Sequence, residues 1–256
     1  MLEILEHIIT RGGLIGLRIG GLMTFAPFLS STAFPARIKA VLTLAITALL
    51  YPALTIPASA LSPERWMAVA LRESVLGLAT GLCLQFMFEG VLLAGQIGGF
   101  QLGFSLVNII DPQTSVDTPV LSTFVQMSWI LLGLQLNLHH WILRGVCRSF
   151  LYIPVGGALF GPGLVREVLR DAGAMFLVGV QIAAPLLFAT VVIDVTVGFL
   201  SKASPQLPAI LLSIPMKNLL GYAVLAIGMS LWPALFERQF LLALGWSERV
   251  MHLAAP

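Results

Sequence analysis

The sequence predicts an all-α membrane protein, and three observations carry that prediction. Of its 256 residues, 58% are hydrophobic and only 10% charged, where a soluble domain carries about 25% charged side chains. The apolar residues gather into runs near the roughly 20 residues a helix needs to cross a bilayer. Helix start and stop signals separate those runs: most of the 15 prolines fall at or between them. The net charge of +2 and a pI of 8.7 that rests on it give no reason to expect nucleic acid. Two cysteines, Cys83 and Cys147, make no disulfide framework, and their apolar surroundings predict buried, inert thiols.

Residues 1–11 read as a polar helical lead-in, retained because no small-residue cleavage site follows a short apolar core. An apolar span over 13–29 follows, interrupted by Arg18 and ended by Pro27, Ser30, Ser31 and Pro35. A second span, 38–54, is closed by Pro52 and Pro57. Ser62 as N-cap, Pro63 at the first helical position and Glu64 in the first turn start the next helix. No proline follows until after Phe104, which allows some forty residues of helix. That is too long for one upright span, so a helical hairpin or a long bent helix is expected, with a break between Glu89 and Gly99. Pro119 opens a span to about Leu138, which runs into an amphipathic piece with Arg144 and Arg148 on one face and Trp141, Ile142, Val146 and Phe150 elsewhere. A loop with Gly156, Gly157, Gly161 and Gly163 leads to a helix that starts with Arg166, Glu167, Arg170 and Asp171 and contains Pro185 and Asp194. The last span, 209–236, is expected to break at Pro215 and Pro233, and a short tail with Arg238, Glu248 and Arg249 closes the chain.

The stretch AGQIGGFQLGFSLVNIIDP, residues 94–112, organises the rest. Four glycines in nine positions, Gly95, Gly98, Gly99 and Gly103, cost about 1 kcal/mol each against alanine in a helix. Either neighbouring helices pack closely on a glycine face, or the backbone breaks and lines a cavity. Asp111-Pro112 turns the end of the stretch toward an irregular loop. Beside the glycines, Phe100, Phe104, Leu106, Ile109 and Ile110 form an apolar set that suits a packed core or a hydrophobic constriction.

Charges inside apolar spans cost about 2.5 to 3.5 kcal/mol each and face a partner or a wet cavity. Arg18, Glu89, Asp194 and Lys217 are the residues this singles out. They act either as ion pairs that fix helices or subunits together, or as a relay in a secondary transporter; no line of carboxylates or histidines at helical spacing supports the relay. No nucleophile, phosphate loop or metal set emerges: the adjacent His139 and His140 diverge on a helix, and neither cysteine has a base nearby. A six-span alternation puts nine Lys and Arg on the side of the termini and three opposite, which would place both termini in the cytoplasm.

In order along the chain, Arg18, Pro27-Phe28, Pro35-x-Arg37, Ala94-Gly95-Gln96, Gly103, Asp111-Pro112, Asn137-x-His139-His140, Ser149-Phe150, Pro154, Ala184-Pro185, Asp194, Gly198, Pro205-Gln206 and Pro215-x-Lys217 match one pattern. By these residues the chain resembles the FliR family, the export-gate family of type III secretion systems whose injectisome counterparts are homologous. Lys202 and Pro208 depart from it, standing where the family commonly has arginine and asparagine.

The resemblance implies a single gate domain over 1–256, without catalysis, cofactor or metal. It implies tilted, proline-broken helical hairpins that form part of a multi-subunit helical complex with FliP-like and FliQ-like subunits. An FlhB-like protein would sit outside, unfolded flagellar substrates would pass through, and membrane lipid would surround it. The place implied is the bacterial inner membrane at the flagellar basal body, displaced toward the periplasm in the assembled gate. That displacement sets aside the six-span topology. The family's plug loop maps to 103–116, with Gly103, Phe104, Ser105, Leu106, Val107, Asn108, Ile109, Ile110, Asp111 and Pro112 as gate residues. Gly95, Gln96, Gly98 and Gly99 are then left to helix packing, and Arg18, Glu89, Asp194, Lys202 and Lys217 to buried-charge and assembly contacts. An injectisome gate subunit and a self-contained transporter are the alternatives.

Overall fold

The computed structural model describes residues 2–27, 35–54, 56–57, 62–104, 120–204, 206 and 209–255. Among them eight α-helices and no strand are found: α1 (Leu2–Phe25), α2 (Ala36–Leu50), α3 (Pro63–Gln101), α4 (Val120–Gln135), α5 (Leu138–Tyr152), α6 (Pro162–Ala203), α7 (Ala209–Met229) and α8 (Trp232–Ala254). A 3-10 turn, Tyr51–Ala53, closes α2 around Pro52. α3 begins at Pro63 with Glu64 in its first turn, as the Ser-Pro-Glu signal requires.

The forty-residue proline-free segment is neither a hairpin nor broken: α3 is one helix of 39 residues, about 58 Å long at about 1.5 Å per residue. The glycines between Glu89 and Gly99 do not interrupt it because each costs only about 1 kcal/mol, less than close packing returns. Pro27 and Pro233 fall at helix ends, whereas Pro185 lies inside the 42-residue α6 and Pro215 inside α7. A proline in an apolar helix forfeits one backbone hydrogen bond without ending the helix where local adjustment re-satisfies the freed carbonyl. The expected short tail is instead α8, 23 residues with an apolar stripe through Phe236, Phe240, Ala243 and Val250.

Among the described residues five helical segments are long and apolar enough to cross a membrane, at Ile8–Phe25, Ala36–Ala53, Glu64–Gln101, Pro162–Ala203 and Leu212–Met229, or six if α4 and α5 count as one broken span. α3 is mostly buried in the chain itself, but α2 and α7 are almost bare. Val41, Leu44 and Leu49 on α2 and Leu219, Tyr222 and Ile227 on α7 all stand at least half exposed, apolar surface that lipid or another subunit must cover.

The chain forms two compact units, each discontinuous in sequence. One comprises 1–87, 134–173 and 240–256. Its core joins Leu14, Ile15, Ile19 and Leu22 of α1 with Leu76 and Leu84 of α3, Ile142, Val146 and Phe150 of α5, and Ala243 and Val250 of α8. Here α1 and α3 touch backbone to backbone. A Cβ on Gly77 would collide with the Arg18 carbonyl oxygen, and one on Gly81 would stand 2.6 Å from that of Leu22. Gly21 returns the contact, since a Cβ there would lie 2.8 Å from the Ser74 carbonyl oxygen. The other unit comprises 88–133 and 174–239. In it Phe236 packs edge-on against Phe88 at 6.3 Å and tilted against Trp129 at 5.2 Å. Gly90 of α3 faces Gly179 of α6, and a Cβ on either would stand 2.9 Å from a carbonyl oxygen of the other helix.

Candidate functional site

The glycine-rich end of α3 resolves into two parts with different jobs. Gly95, Gly98 and Gly99 are all buried on one face at i, i+3 and i+4. A Cβ on Gly95 would lie 2.5 Å from Ser122 Cα, and one on Gly98 would lie 2.8 Å from a Leu186 methyl, so α4 and α6 close on this face. Gly99 is looser, with 3.8 Å to the Leu121 Cβ. Gln96, grouped with them from the sequence, does not share the packing: one step of about 100° carries it to the outer face, where it is exposed together with Phe100, four residues on.

The second part is the helix stop. Gly103 has φ 83°, its N–H donates to the Phe100 carbonyl at 3.1 Å, and the Phe104 N–H donates to the Gly99 carbonyl at 3.1 Å. These are the two hydrogen bonds of a Schellman cap, which needs a left-handed residue at this position and so favours glycine. Phe104 itself is half-buried. The gate residues Ser105, Leu106, Val107, Asn108, Ile109, Ile110, Asp111 and Pro112, with the rest of the mapped plug to Val116, lie outside the described residues.

Of the span charges, Arg18 is the deepest, at 2% exposure. Its Nε donates to Glu73 Oε2 at 2.5 Å, and its Nη1 donates to the carbonyl oxygens of Ser149 at 3.1 Å and Ile153 at 2.8 Å. Its guanidinium also lies over the Phe150 ring, 4.3 Å from the centroid. Arg18 therefore joins α1 to α3 and caps the carbonyl end of α5, where a cation suits the helix dipole. The second oxygen of Glu73 accepts from the Gly156 N–H at 2.8 Å, just where Gly156 turns the chain at φ 86°.

Asp194 of α6 and Lys217 of α7 pair at 2.7 Å, with Lys217 the more enclosed. Glu89 is half-buried on α3, and Lys202 is exposed in the last turn of α6. The span charges are thus spread over both units.

Several residues escaped the sequence reading. Glu73, 0% exposed, sits between Arg72 and Ser74 and merged with the polar start of α3; an acid within the run from Ala68 to Leu78 was the available signal. Arg249 donates to Glu167 at 2.5 Å and to Asp171 at 3.5 Å, and the Cys83 thiol donates to Asp171 at 3.7 Å. The hydrogen bond to the Glu167 carboxylate raises the Arg249 guanidinium above its ordinary value, and the pair links α6 to α8. Cys147, expected to be buried, is exposed beside Arg144 and Arg148 on the polar face of α5. Trp141 also belongs to that face, with the Arg144 guanidinium 5.8 Å from its ring centroid. The His139 and His140 rings do not diverge but stand 4.3 Å apart, after Asn137 breaks the helix at φ 57°. Among the described residues no group of three or more His, Cys, Asp or Glu could hold a metal.

These features define an α-helical, multi-span membrane protein knit by glycine contacts and a few enclosed ion pairs. Residues 9–243 match the model of the bacterial export proteins, family 1, and the chain belongs to that family, among its FliR-type members. It is similar to the flagellar biosynthetic protein FliR of Escherichia coli (strain K12), 30% identical over 226 residues that cover 88% of this chain and 86% of the relative. FliR of Bacillus subtilis (strain 168) is 29% identical over 220 residues, 85% of each chain, and FliR of Caulobacter vibrioides is 23% identical over 219 residues.

Proposed function

We propose that this chain is a non-enzymatic core subunit of a flagellar type III export gate, working in the bacterial inner membrane at the basal body. It joins FliP-like and FliQ-like subunits around a channel for unfolded flagellar substrates, with an FlhB-like protein outside. The observation that carries the reading is kinship along almost the whole chain, residues 9–243, with relatives that are flagellar biosynthetic proteins. The nearly bare apolar helices α2 and α7 support it, because a subunit of a larger helical complex keeps such faces for its neighbours.

Within that assembly, Gly103 to Pro112 form the plug, and the Schellman cap at Gly103 marks where rigid helix gives way to it. Asp194 and Lys217 hold α6 to α7 so that the pair presents one surface to a neighbouring subunit. The chain has no proposed catalytic residue; substrates move on energy supplied elsewhere in the apparatus.

Deleting Leu106 to Ile110 in cells that carry the whole apparatus, and following small-molecule leakage across the inner membrane, tests the plug. Raised leakage with normal amounts of assembled complex is expected. An unchanged leak from an assembled complex would remove the plug assignment.

A further inference from the structure

The first three turns of α3 carry Arg65 and Arg72, seven residues apart and therefore on one side of the helix, and both residues line a cavity of about 460 Å³. Ala68 and Val69, one turn on from Arg65, form its floor, and the turn after α5, through Pro154 and Gly156, forms a wall. All of these residues belong to the same compact unit. Neither arginine meets a carboxylate among the described residues, although Arg11, Arg18, Arg170 and Arg249 each hold an anionic or carbonyl partner. Glu73 stands next to Arg72 in the chain, but both of its oxygens are engaged, by Arg18 and by the Gly156 N–H. The residues between Pro57 and Ser62, Ala-Ser-Ala-Leu, bring no charge.

We infer that this cavity is a binding site for the phosphate head of an anionic phospholipid. Two guanidinium groups lining one concave space, neither of them paired with a carboxylate among the described side chains, are matched by a phosphate, which guanidinium binds through paired N–H donors. The site lies where a lipid head would be: the membrane-crossing segment Glu64–Gln101 begins within its rim, and basic pockets at the ends of spans take anionic head groups. At about 30 Å³ per water molecule the cavity has room for roughly fifteen waters. A bare phosphate would leave most of that space wet, whereas a glycerophosphate head would fill it.

The shared chemistry is a phosphate oxyanion, so the test separates lipid from free ion. The purified full chain in neutral detergent is titrated with phosphatidylglycerol, phosphatidylcholine and inorganic phosphate, and bound species are counted by native mass spectrometry. Phosphatidylglycerol is expected to bind at least tenfold more tightly than phosphatidylcholine. Arg65→Gln/Arg72→Gln should abolish that preference, and Ala68→Phe, which fills the cavity and leaves both arginines, should weaken binding at least fivefold. Arg37→Gln/Lys39→Gln, which removes two charges at the start of α2 away from the cavity, should leave it unchanged. Should the double arginine variant not be recovered folded, Ala68→Phe and the single Arg65→Gln variant decide. Equal binding of the two lipids, displacement of phosphatidylglycerol by equimolar inorganic phosphate, or full binding by Ala68→Phe would each overturn the inference.

Discussion

Arg18 of α1 and Glu73 of α3 meet at 2.5 Å with both side chains almost wholly out of solvent, 3% and 0% exposed. The pair does more than neutralise two charges. Through the same two side chains the end of α5 and the turn at Gly156 are fixed to the α1–α3 crossing. Taking ions from water is costly, so such a pair is held by its hydrogen bonds and adds little net stability over an apolar match. Its contribution is to choose one register for three helices, and losing one partner strands the other.

Glu73→Ala is therefore expected to destabilise the protein by about 3 to 5 kcal/mol, because it leaves a buried guanidinium uncompensated. The double change Arg18→Met/Glu73→Leu should recover a good part of that loss. Denaturant unfolding in detergent, followed by helix signal, measures both. A single variant as stable as the parent would mean that the pair is not enclosed.

Gly77 and Gly81 permit the crossing that brings Arg18 to Glu73. Gly77→Val should cost about 1 to 3 kcal/mol or more by overpacking against the α1 backbone, whereas Gly145→Ala, at a glycine with nothing within 4 Å, should cost nothing measurable. Relative yield and thermal unfolding of the two variants give the comparison; equal stability would contradict the backbone contact.

At the end of α3, Gly103→Ala forces a left-handed conformation on a residue with a Cβ, at about 1 to 2 kcal/mol. Gly103→Asn should be milder, since asparagine also serves at this cap. Hydrogen exchange at Leu102, Gly103 and Phe104 is the readout. Alanine should speed exchange there and asparagine less so, and equal rates in all three proteins would remove the cap.

Asp194→Ala leaves the more enclosed Lys217 without its partner, and it should reduce recovery of the FliP-like and FliQ-like subunits several-fold when the complex is purified. The exchange Asp194→Lys/Lys217→Asp should restore a large part of it. Normal assembly with lost export would instead give the pair a direct part in transport.

How much of this was legible beforehand follows from the range of each interaction. Helix starts are local, so Ser62, Pro63 and Glu64 located the beginning of α3 to the residue. The glycine face at Gly95, Gly98 and Gly99 was legible as a demand for close neighbours, but not which helices would supply them, because Ser122 and Leu186 are remote in sequence. Glu73 was overlooked because an acid beside an arginine reads as a solvated pair, and only the fold shows that Arg72 turns to a cavity while Glu73 turns to Arg18. Pro215 misled for the opposite reason: a proline breaks a helix in water more readily than inside an apolar span. The charges of α8 hid its stripe from Phe236 to Val250, and those charges turned out to lie on its outer face or, in Arg249, on α6.

Co-expression of the chain with the FliP-like and FliQ-like proteins of the same genome, followed by native mass spectrometry of what purifies with it, bears most directly on the assignment to an export gate. The predicted result is a hetero-oligomer that contains this chain together with both partners. A stable, monodisperse monomer or homo-oligomer that captures neither partner would contradict it.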